Sequence, residues 1–319
     1  MFQKRMIPAF TASADNVLYG LASRDYGKAQ SVAETHGIPL VFDSYTSLLR
    51  CPDIDAVYIP LPNDLHAEYA MLALDQGKHV LCDKPFTLTA ADAIACSERA
   101  AANDVRLMEG FMYRHHPQHE FVQRLVATGV IGKLQRLDAT FCYPAPVDHA
   151  GIRWNRSQGG GALWDVGVYG INAARLYLGE PAGAYAQSML HQPTGVDTHT
   201  TIVLDFSEGA HALLHCGFDQ AFSSTVTLSG TTGHVLIERA FQVGEAGTRV
   251  GYRTHGSDEM TYQTFDYANQ WSLELDDFAE SVYRADGTLV IGEDGVLQAK
   301  VMDAVLSSLL SSSREVIAL

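Results

Sequence analysis

The feature that most constrains the fold is a regular alternation between residues 17 and 103. Short apolar runs of strand length alternate there with amphipathic stretches of helix length, and this order predicts parallel β-α-β units. The predicted strands are residues 17–22, 56–61 and 79–82, and the predicted helices are residues 28–36, 64–76 and one that Thr89 caps. The pattern corresponds to half of a doubly wound nucleotide-binding fold.

The pattern changes after Asn103, where strands become more frequent than helices. Helices are predicted at 117–128, 161–178, around Trp271 and at 293–311, and strands at 137–143, 200–206, 210–218, 224–230 and 234–238. Short turn segments separate the last four strands, so we expect an antiparallel meander within one broad sheet. The predicted fold class is α/β: a Rossmann-like, doubly wound parallel sheet without its first strand, plus an α+β domain with a large, mostly antiparallel open sheet. The predicted domains are 1–107, which binds a dinucleotide, and 108–319, which binds substrate and oligomerises.

Composition excludes several classes of protein. The 319 residues are 47% hydrophobic and 18% charged, which suits folded domains. With 22 basic and 37 acidic residues the net charge is −15, so nucleic acids and anionic membranes are unfavourable partners. The five cysteines form no C-x-x-C pair, which argues against disulfide frameworks and zinc clusters and favours the cytoplasm. No apolar run approaches the roughly 18 residues of a membrane span, and no signal peptide is visible.

The start of the sequence lacks two features of a dinucleotide-binding fold, an apolar first strand and the G-x-G-x-x-G turn that holds a pyrophosphate. Residues 3–10 resemble the helix that follows such a turn. The first strand is normally central, so without it two neighbouring strands would keep unpaired backbone groups in a buried layer. Two explanations stay open: a start assigned too late or a truncated gene, or a protein that has lost cofactor binding.

Four motifs together resemble the Gfo/Idh/MocA oxidoreductases, the glucose-fructose oxidoreductase family. They are VYIPLPNDLH at 57–66, GKHVLCDKP at 77–85, EGFMYRHHPQ at 109–118 and GGGALWDVGVY at 159–169. Within the family, the segments RMIPA, HHPQH and GVY are similar to nucleotide-sugar 3-ketoreductases of deoxysugar pathways. The branch of xylose and dihydrodiol dehydrogenases is nearly as similar.

The resemblance implies a catalytic role for Lys84, Tyr169 and Asp165. Lys84 follows a predicted strand, and the family's lysine at this position contacts both the nicotinamide ribose and the substrate oxygen. Asp83 replaces the family's glutamate, which keeps the charge and shortens the side chain.

Asp165 and Tyr169 are four residues apart, so a helix would project both from one face. Relatives use the tyrosine to exchange a proton with the carbonyl or alcohol, and a nearby ammonium would favour its phenolate form. Without the resemblance, the lysine could be an ordinary loop residue and the pair an ordinary helix face.

The candidate binding residues come from the same motifs and from the turn after the first predicted strand. Arg24 lies where NADP enzymes place an arginine on the 2′-phosphate, so NADP(H) is favoured, while Asp25 keeps NAD(H) possible. The predicted cofactor-binding residues are Ser23, Arg24, Leu61, Pro62, Asn63, His66, Asp83, Lys84 and Arg114. The predicted substrate-binding residues are Lys84, Tyr113, Arg153, Trp154, Asp165 and Tyr169. Histidines 115, 116 and 119 lack the spacing of known metal sites, so we expect no metal.

The sequence therefore predicts a cytoplasmic, NADP-dependent oxidoreductase that reduces a keto-sugar or nucleotide-linked keto-sugar, or that runs the reverse oxidation. We expect a homo-oligomer, a dimer or tetramer that assembles through the open sheet face. One alternative is a dehydrogenase of the xylose or dihydrodiol type. Others are a lyase-like or cofactor-recycling member of the family, and a non-catalytic sugar-binding or regulatory relative that lost its cofactor.

Overall fold

The computed structural model describes residues 2–148, 151–284 and 292–318. The chain divides into two compact units, and we describe each separately. The first comprises Met1–Thr87, Ala91–Met112 and Asn269–Val296, and the second comprises Leu88–Ala90, Tyr113–Ala268 and Leu297–Leu319.

The N-terminal part of the chain alternates strands and helices as the sequence predicts. In chain order the elements are α1 (Phe2–Ala12), β1 (Gly20–Ala22), α2 (Tyr26–His36), β2 (Leu40–Phe42), α3 (Tyr45–Leu49), β3 (Ala56–Ile59), α4 (His66–Asp75), β4 (His79–Asp83), α5 (Ala90–Ala102) and β5 (Leu107–Gly110). The sequence did not predict β2, α3 and β5, and it placed the start of β1 three residues too early.

The remaining elements are α6 (Pro117–Ala127), β6 (Leu134–Cys142), α7 (Val168–Leu178), β7 (Gly183–Leu190), β8 (Asp197–Asp205), β9 (His211–Gly217), β10 (Ser223–Gly230), β11 (Gly233–Ile237), β12 (Thr248–Thr254), β13 (Thr261–Phe265), α8 (Gln270–Tyr283), α9 (Glu293–Ser311) and β14 (Glu315–Val316). Helix α8 lies in the first unit, although it follows most of the second in sequence. No helix of the described ranges is both long and apolar enough to cross a bilayer.

The strands of the first unit are parallel and form two separate pieces. One piece pairs β1 with β2, and the other has the order β3-β4-β5. Leu74, Val80 and Leu81 are at most 1% exposed, so α4 and β4 contribute to the core of this unit. The Rossmann-like part of the predicted fold class is confirmed.

The second unit contains a nine-stranded sheet with the order β13-β12-β11-β10-β6-β9-β8-β7-β14. The predicted meander is wrong at one step, because β9 and β10 are not neighbours. Strand β6 lies between them, antiparallel to β10 and parallel to β9. A prediction that pairs consecutive strands cannot detect an earlier strand inserted between two later ones.

Helix α7 packs against one face of this sheet. An added Cβ at Gly170 would lie 3.5 Å from Leu214 Cβ and 3.8 Å from Ala139 Cβ, so the helix approaches β9 and β6 closely. Along β9, Ala212, Leu214 and Cys216 are buried, whereas His211 and Leu213 are exposed. The period-two burial indicates one covered face and one open face.

Candidate functional site

Lys84 lies at the carboxyl end of β4, in a loop that Asp83 fixes. The Asp83 carboxylate accepts a hydrogen bond from the Lys84 backbone N–H at 2.9 Å and another from the Tyr58 hydroxyl at 3.3 Å. Burial, and then the negative charge of Asp83, raise the pKa of Tyr58 well above 10, so its hydroxyl stays a donor. Asp83, which is shorter than the family's glutamate, thus fixes the backbone conformation at Lys84.

His66 connects this loop to the one after β3. Its imidazole is 1% exposed, and its two ring nitrogens lie 2.7 Å from the carbonyl oxygens of Leu61 and Pro85. Both nitrogens are therefore engaged by the backbone. His66 can affect a bound cofactor by positioning these two loops, while direct contact with the cofactor stays a prediction.

Arg24 and Asp25 are adjacent charged residues in the turn after β1, and they have different roles. Asp25 caps α2, because its carboxylate accepts a hydrogen bond from the Lys28 backbone N–H at 3.0 Å. That bond is the main reason why the pKa of Asp25 is lowered. Arg24 is exposed and precedes the cap. The arginine is thus available for a phosphate, whereas the aspartate is already committed to the helix.

The first unit therefore carries Arg24, Asn63 and Lys84 just beyond the carboxyl ends of β1, β3 and β4. This edge of a parallel sheet is where α/β folds bind ligands. A guanidinium, an amide and an ammonium suit the phosphates and hydroxyls of a dinucleotide. The chemistry of these residues fits a nicotinamide dinucleotide. Arg114 belongs to the second unit, in a 3₁₀ turn at Met112–His115.

Asp165 forms the charged centre of the second unit's candidate site. One of its oxygens accepts hydrogen bonds from the Tyr143 hydroxyl at 2.5 Å and from Arg153 Nε at 2.7 Å. Burial, with Asp165 as the next cause, raises the pKa of Tyr143, while the Asp165 charge raises the pKa of Arg153. Tyr143 was not predicted as a site residue. The strand alternation ending at Phe141 and Tyr143 could have drawn attention to it.

The helix that carries Asp165 differs from the prediction. Instead of one α-helix over 161–178, a π turn at Leu163–Gly167 precedes α7. The buried Asp197 accepts the Leu163 backbone N–H at 2.8 Å and the Thr200 hydroxyl at 2.7 Å. A carboxylate from β8 thus satisfies a backbone donor at the start of the helix. This residue, 34 positions away from Leu163, gave no recognisable signal in the sequence.

Tyr169 lies in the first turn of α7 and is 6% exposed. Its ring centroid is 5.3 Å from that of Phe141, 5.6 Å from Phe241 and 5.9 Å from Tyr113. Tyr113 is fully buried, and its hydroxyl donates to Asn172 Oδ1 at 2.6 Å. These aromatic contacts fix the ring of Tyr169. The burial of Tyr113 does not support its predicted contact with substrate, because its hydroxyl is used within the core.

The two loop residues predicted to bind substrate differ in accessibility. Trp154 is 6% exposed, donates from Nε1 to the Pro146 carbonyl at 3.0 Å and packs against His191 and Phe218. Its environment is that of a packing residue. The side chain of Arg153 is 47% exposed, so it is the more accessible of the two.

His116 and His119 belong to the packing of the second unit. His116 accepts the Gln118 backbone N–H as the cap of α6. His119 is fully buried, with Nδ1 2.7 Å from the Tyr177 hydroxyl and Nε2 2.7 Å from the Ala240 carbonyl. Burial lowers the pKa of His119 to about 3. Over 2–148, 151–284 and 292–318, no group of three potential ligand side chains could hold a metal ion.

Two family models match this chain. The model described as "Oxidoreductase family, NAD-binding Rossmann fold" matches residues 1–111, and the "GFO/IDH/MocA C-terminal domain" matches residues 119–236. Together they match parts of both units.

Individual relatives cover nearly the whole sequence. D-xylose 1-dehydrogenase (NADP(+)) 2 of Haloferax volcanii is 36% identical over 96% of this chain and 93% of its own length. A dTDP-3,4-didehydro-2,6-dideoxy-α-D-glucose 3-reductase of Actinomadura kijaniata is 33% identical over 95% of this chain and 90% of its own. The crystal structure of KijD10, a 3-ketoreductase from that organism in complex with NADP and TDP-benzene, superimposes with a TM-score of 0.89. It is 32% identical and covers 96% of this chain and 94% of that one.

Proposed function

Because this chain belongs to the Gfo/Idh/MocA family and is an NAD(P)-dependent oxidoreductase of the sugar-active kind, we propose that it reduces a ketone on a nucleotide-linked sugar with NADPH. The observation that carries the proposal is the similarity along nearly the full length to a 3-ketoreductase crystallised with NADP and a TDP compound. The exposed Arg24, next to an aspartate already used as a helix cap, supports NADP over NAD.

The proposed division of labour follows the two domains predicted from the sequence. Residues 1–107 hold the cofactor, with Arg24 on the 2′-phosphate and with Leu61, Pro62, Asn63 and Lys84 along the nicotinamide half. When bound, the dinucleotide supplies the hydride, which adds to the carbonyl carbon. Residues 108–319 bind the sugar, with Arg153 as an accessible cation on its substrate side.

The chain's own residues complete the reduction by handling the proton. In the proposal, the Tyr169 hydroxyl donates its proton to the carbonyl oxygen, which becomes the product hydroxyl, and the phenolate is reprotonated from solvent. The Lys84 ammonium polarises the carbonyl and stabilises the phenolate between these steps. Asp165 keeps Arg153 in place through the 2.7 Å contact and is itself held by Tyr143.

A second candidate is the oxidation of a free sugar such as D-xylose, which the relative from Haloferax volcanii favours. The same residues would act in reverse, with Tyr169 as the proton acceptor. The cytoplasmic location and the assembly into a dimer or tetramer also stay predictions.

Steady-state assays of the purified chain distinguish the two candidates. We expect oxidation of NADPH with a TDP-linked 3-keto-sugar and little reduction of NADP⁺ with D-xylose; the opposite preference would favour the dehydrogenase. Titration of NADPH fluorescence tests a third possibility, that the chain does not bind the cofactor. Absence of binding would contradict both candidates and favour the non-catalytic relative.

The role of Tyr169 is tested by Tyr169→Phe, which removes only the hydroxyl. Because general acid catalysis contributes about 10² to 10⁴ in rate, we expect kcat to fall by that factor while the NADPH Kd stays unchanged. Tyr262→Phe makes the same chemical change at a tyrosine that is 46% exposed on β13, and it should leave both values unaltered. Near-normal turnover of the Tyr169 variant would refute the assignment.

A further inference from the structure

Helix α7 begins directly after the π turn at Leu163–Gly167, so no regular α-helical ladder leads into its first turn. The Val168 backbone N–H donates to the Leu163 carbonyl, five positions back, where an α-helix uses the carbonyl four positions back. Tyr169 follows immediately, as the second residue of α7. The rotation of α7 about its axis sets the direction of the Tyr169 side chain, and it therefore depends on contacts from other elements.

Gln298 of α9 supplies such a contact within the second unit. It is 2% exposed, and its Nε2 donates to the Val168 carbonyl oxygen at 3.0 Å. Its Oε1 accepts from Arg175 Nη1 at 3.0 Å and from Asn172 Nδ2 at 3.4 Å. Positions 168, 172 and 175 are separated by four and three residues, so they lie on one face of the helix. A single buried amide thus holds two turns of α7.

The hydrogen bonds continue from α7 in two directions. The side chain of Arg175 is 3% exposed, and its Nε and Nη2 donate to the two carboxylate oxygens of Glu180 at 2.8 and 2.9 Å. In the other direction, Asn172 accepts the hydroxyl of Tyr113, whose ring packs against Tyr169. Because unpairing a buried polar or charged group is costly, this network holds α7 in one position.

We propose that Gln298 is a positioning residue for the carbonyl reduction, an inference that rests on the function proposed above. By donating to the Val168 carbonyl, its Nε2 sets the rotation of the first turn of α7 and thus the place of the Tyr169 hydroxyl. A misplacement of about 1 Å at a reacting group lowers a rate by about 10²-fold. Gln298 acts through Tyr169 and needs no contact of its own with the sugar or the cofactor.

Gln298→Glu tests the donor alone, because an ionised carboxylate keeps an acceptor oxygen for Arg175 and lacks the N–H that Val168 accepts. We expect kcat to fall by about 10- to 100-fold, while the sugar KM and the NADPH Kd change by less than about twofold. The assay uses NADPH with the TDP-linked 3-keto-sugar, or NADP⁺ with D-xylose if the chain prefers oxidation. Gln135→Glu makes the same chemical change at an exposed residue of β6 and should leave kcat unaltered.

A double-mutant cycle with Tyr169→Phe distinguishes positioning from a general structural effect. Once the Tyr169 hydroxyl is gone, its place no longer matters, so adding Gln298→Glu should lower kcat by no more than about twofold further. If Gln298→Glu lowers kcat by the same large factor in both backgrounds, it does not act through Tyr169, and the proposal is wrong.

Hydrogen exchange provides a readout that needs neither cofactor nor turnover. We expect exchange in peptides covering residues 163–172 to become at least about fivefold faster in Gln298→Glu, with exchange in β10 unchanged. Gln298→Met has a similar length, carries no charge and also lacks the donor, so it gives the same test if the carboxylate variant does not fold. Unchanged exchange in the folded variants would overturn the proposal.

Failure of the proposed function gives a different result from failure of this inference. If Tyr169→Phe turns over normally while Gln298→Glu accelerates exchange in 163–172, the hold of Gln298 on α7 is supported and the role of Tyr169 is refuted. If Tyr169→Phe is impaired while Gln298→Glu and Gln298→Met keep full turnover, the role of Tyr169 stands and Gln298 is not a positioning residue.

Discussion

Glu274 on α8 illustrates how burial, together with neighbouring charges, determines the protonation state of a side chain. It is 2% exposed, and its Oε1 atom has no hydrogen-bond partner. Burial raises its pKa well above 4.5, and the negative charges of Asp83 and Asp277 raise it further. The folded protein therefore holds Glu274 protonated at pH values where the unfolded chain ionises it.

The sign of the resulting pH dependence is fixed by this shift. Below pH 4.5 Glu274 is protonated in both the folded and the unfolded state, so the shift in its pKa does not change the free energy of unfolding. Above it the unfolded chain loses the proton first, so stability falls as pH rises towards the folded pKa, by up to about 1.4 kcal/mol per pH unit.

Glu274→Gln removes the ionisable group and keeps its shape. We expect the variant to unfold at a higher temperature than the wild type at pH 7, with a difference that shrinks as pH approaches 4.5. Thermal unfolding between pH 4.5 and 8 measures this. Glu120→Gln, at an exposed glutamate on α6, should show no comparable trend, and a constant or inverted difference for Glu274→Gln would contradict the assigned protonation state.

Single residues were predictable from sequence where their neighbours in the chain determine their place. The family resemblance singles out Lys84, and the apolar run before it predicts its place after a strand, which the structure confirms. Asp197 and Glu274 could not be recognised, since the groups that explain them, Leu163 and Asp83, are far away in sequence.

At the scale of elements, the π turn before α7 shows how a glycine and a carboxylate set a helix start. Gly161 has a φ of +117°, and a Cβ there would lie 2.0 Å from Asp197 Oδ1. Only glycine allows both this backbone conformation and the close approach of the carboxylate. This π turn places Asp165 where it accepts hydrogen bonds from Tyr143 and Arg153.

Gly161→Ala should therefore displace Asp197 and the start of the π turn. We expect a loss of about 1–3 kcal/mol in the free energy of unfolding, measured with denaturant, together with a lower kcat. Gly209→Ala is the matched control, because Gly209 also has a positive φ of +84° but nothing within 4 Å of an added Cβ. Equal losses at the two positions would show that backbone strain alone, without the Asp197 contact, explains the effect.

The elements that sequence predicted well are those with a strong local signal. α9 was placed at its observed bounds, and α2 begins two residues earlier than predicted and ends at the same residue. Strand β2 and helix α3, of three and five residues, are too short to give a periodic pattern. The position of β6 between β9 and β10 depends on pairing over long sequence distances, which no local pattern encodes.

At the scale of the whole molecule, the open face of the nine-stranded sheet is the basis for expecting assembly. Tyr185 of β7 is paired with Val203 of β8, which is paired with Leu213 of β9. Residues directly opposite one another project from the same face. The three side chains thus form an apolar row across adjacent strands, and Leu213 is 39% exposed. A second copy presenting the same row would bury it symmetrically.

Leu213→Glu places a charge in the middle of this row. Two copies related by symmetry would bring the new carboxylates close together, so we expect the variant to be a monomer in light scattering coupled to gel filtration, while the wild type is a dimer or tetramer. Leu310→Glu makes the same change at a leucine that is 85% exposed near the end of α9 and should leave the assembly intact. A wild-type chain that is a monomer at all concentrations tested would refute the expected assembly, and an oligomer that survives Leu213→Glu would require a different interface.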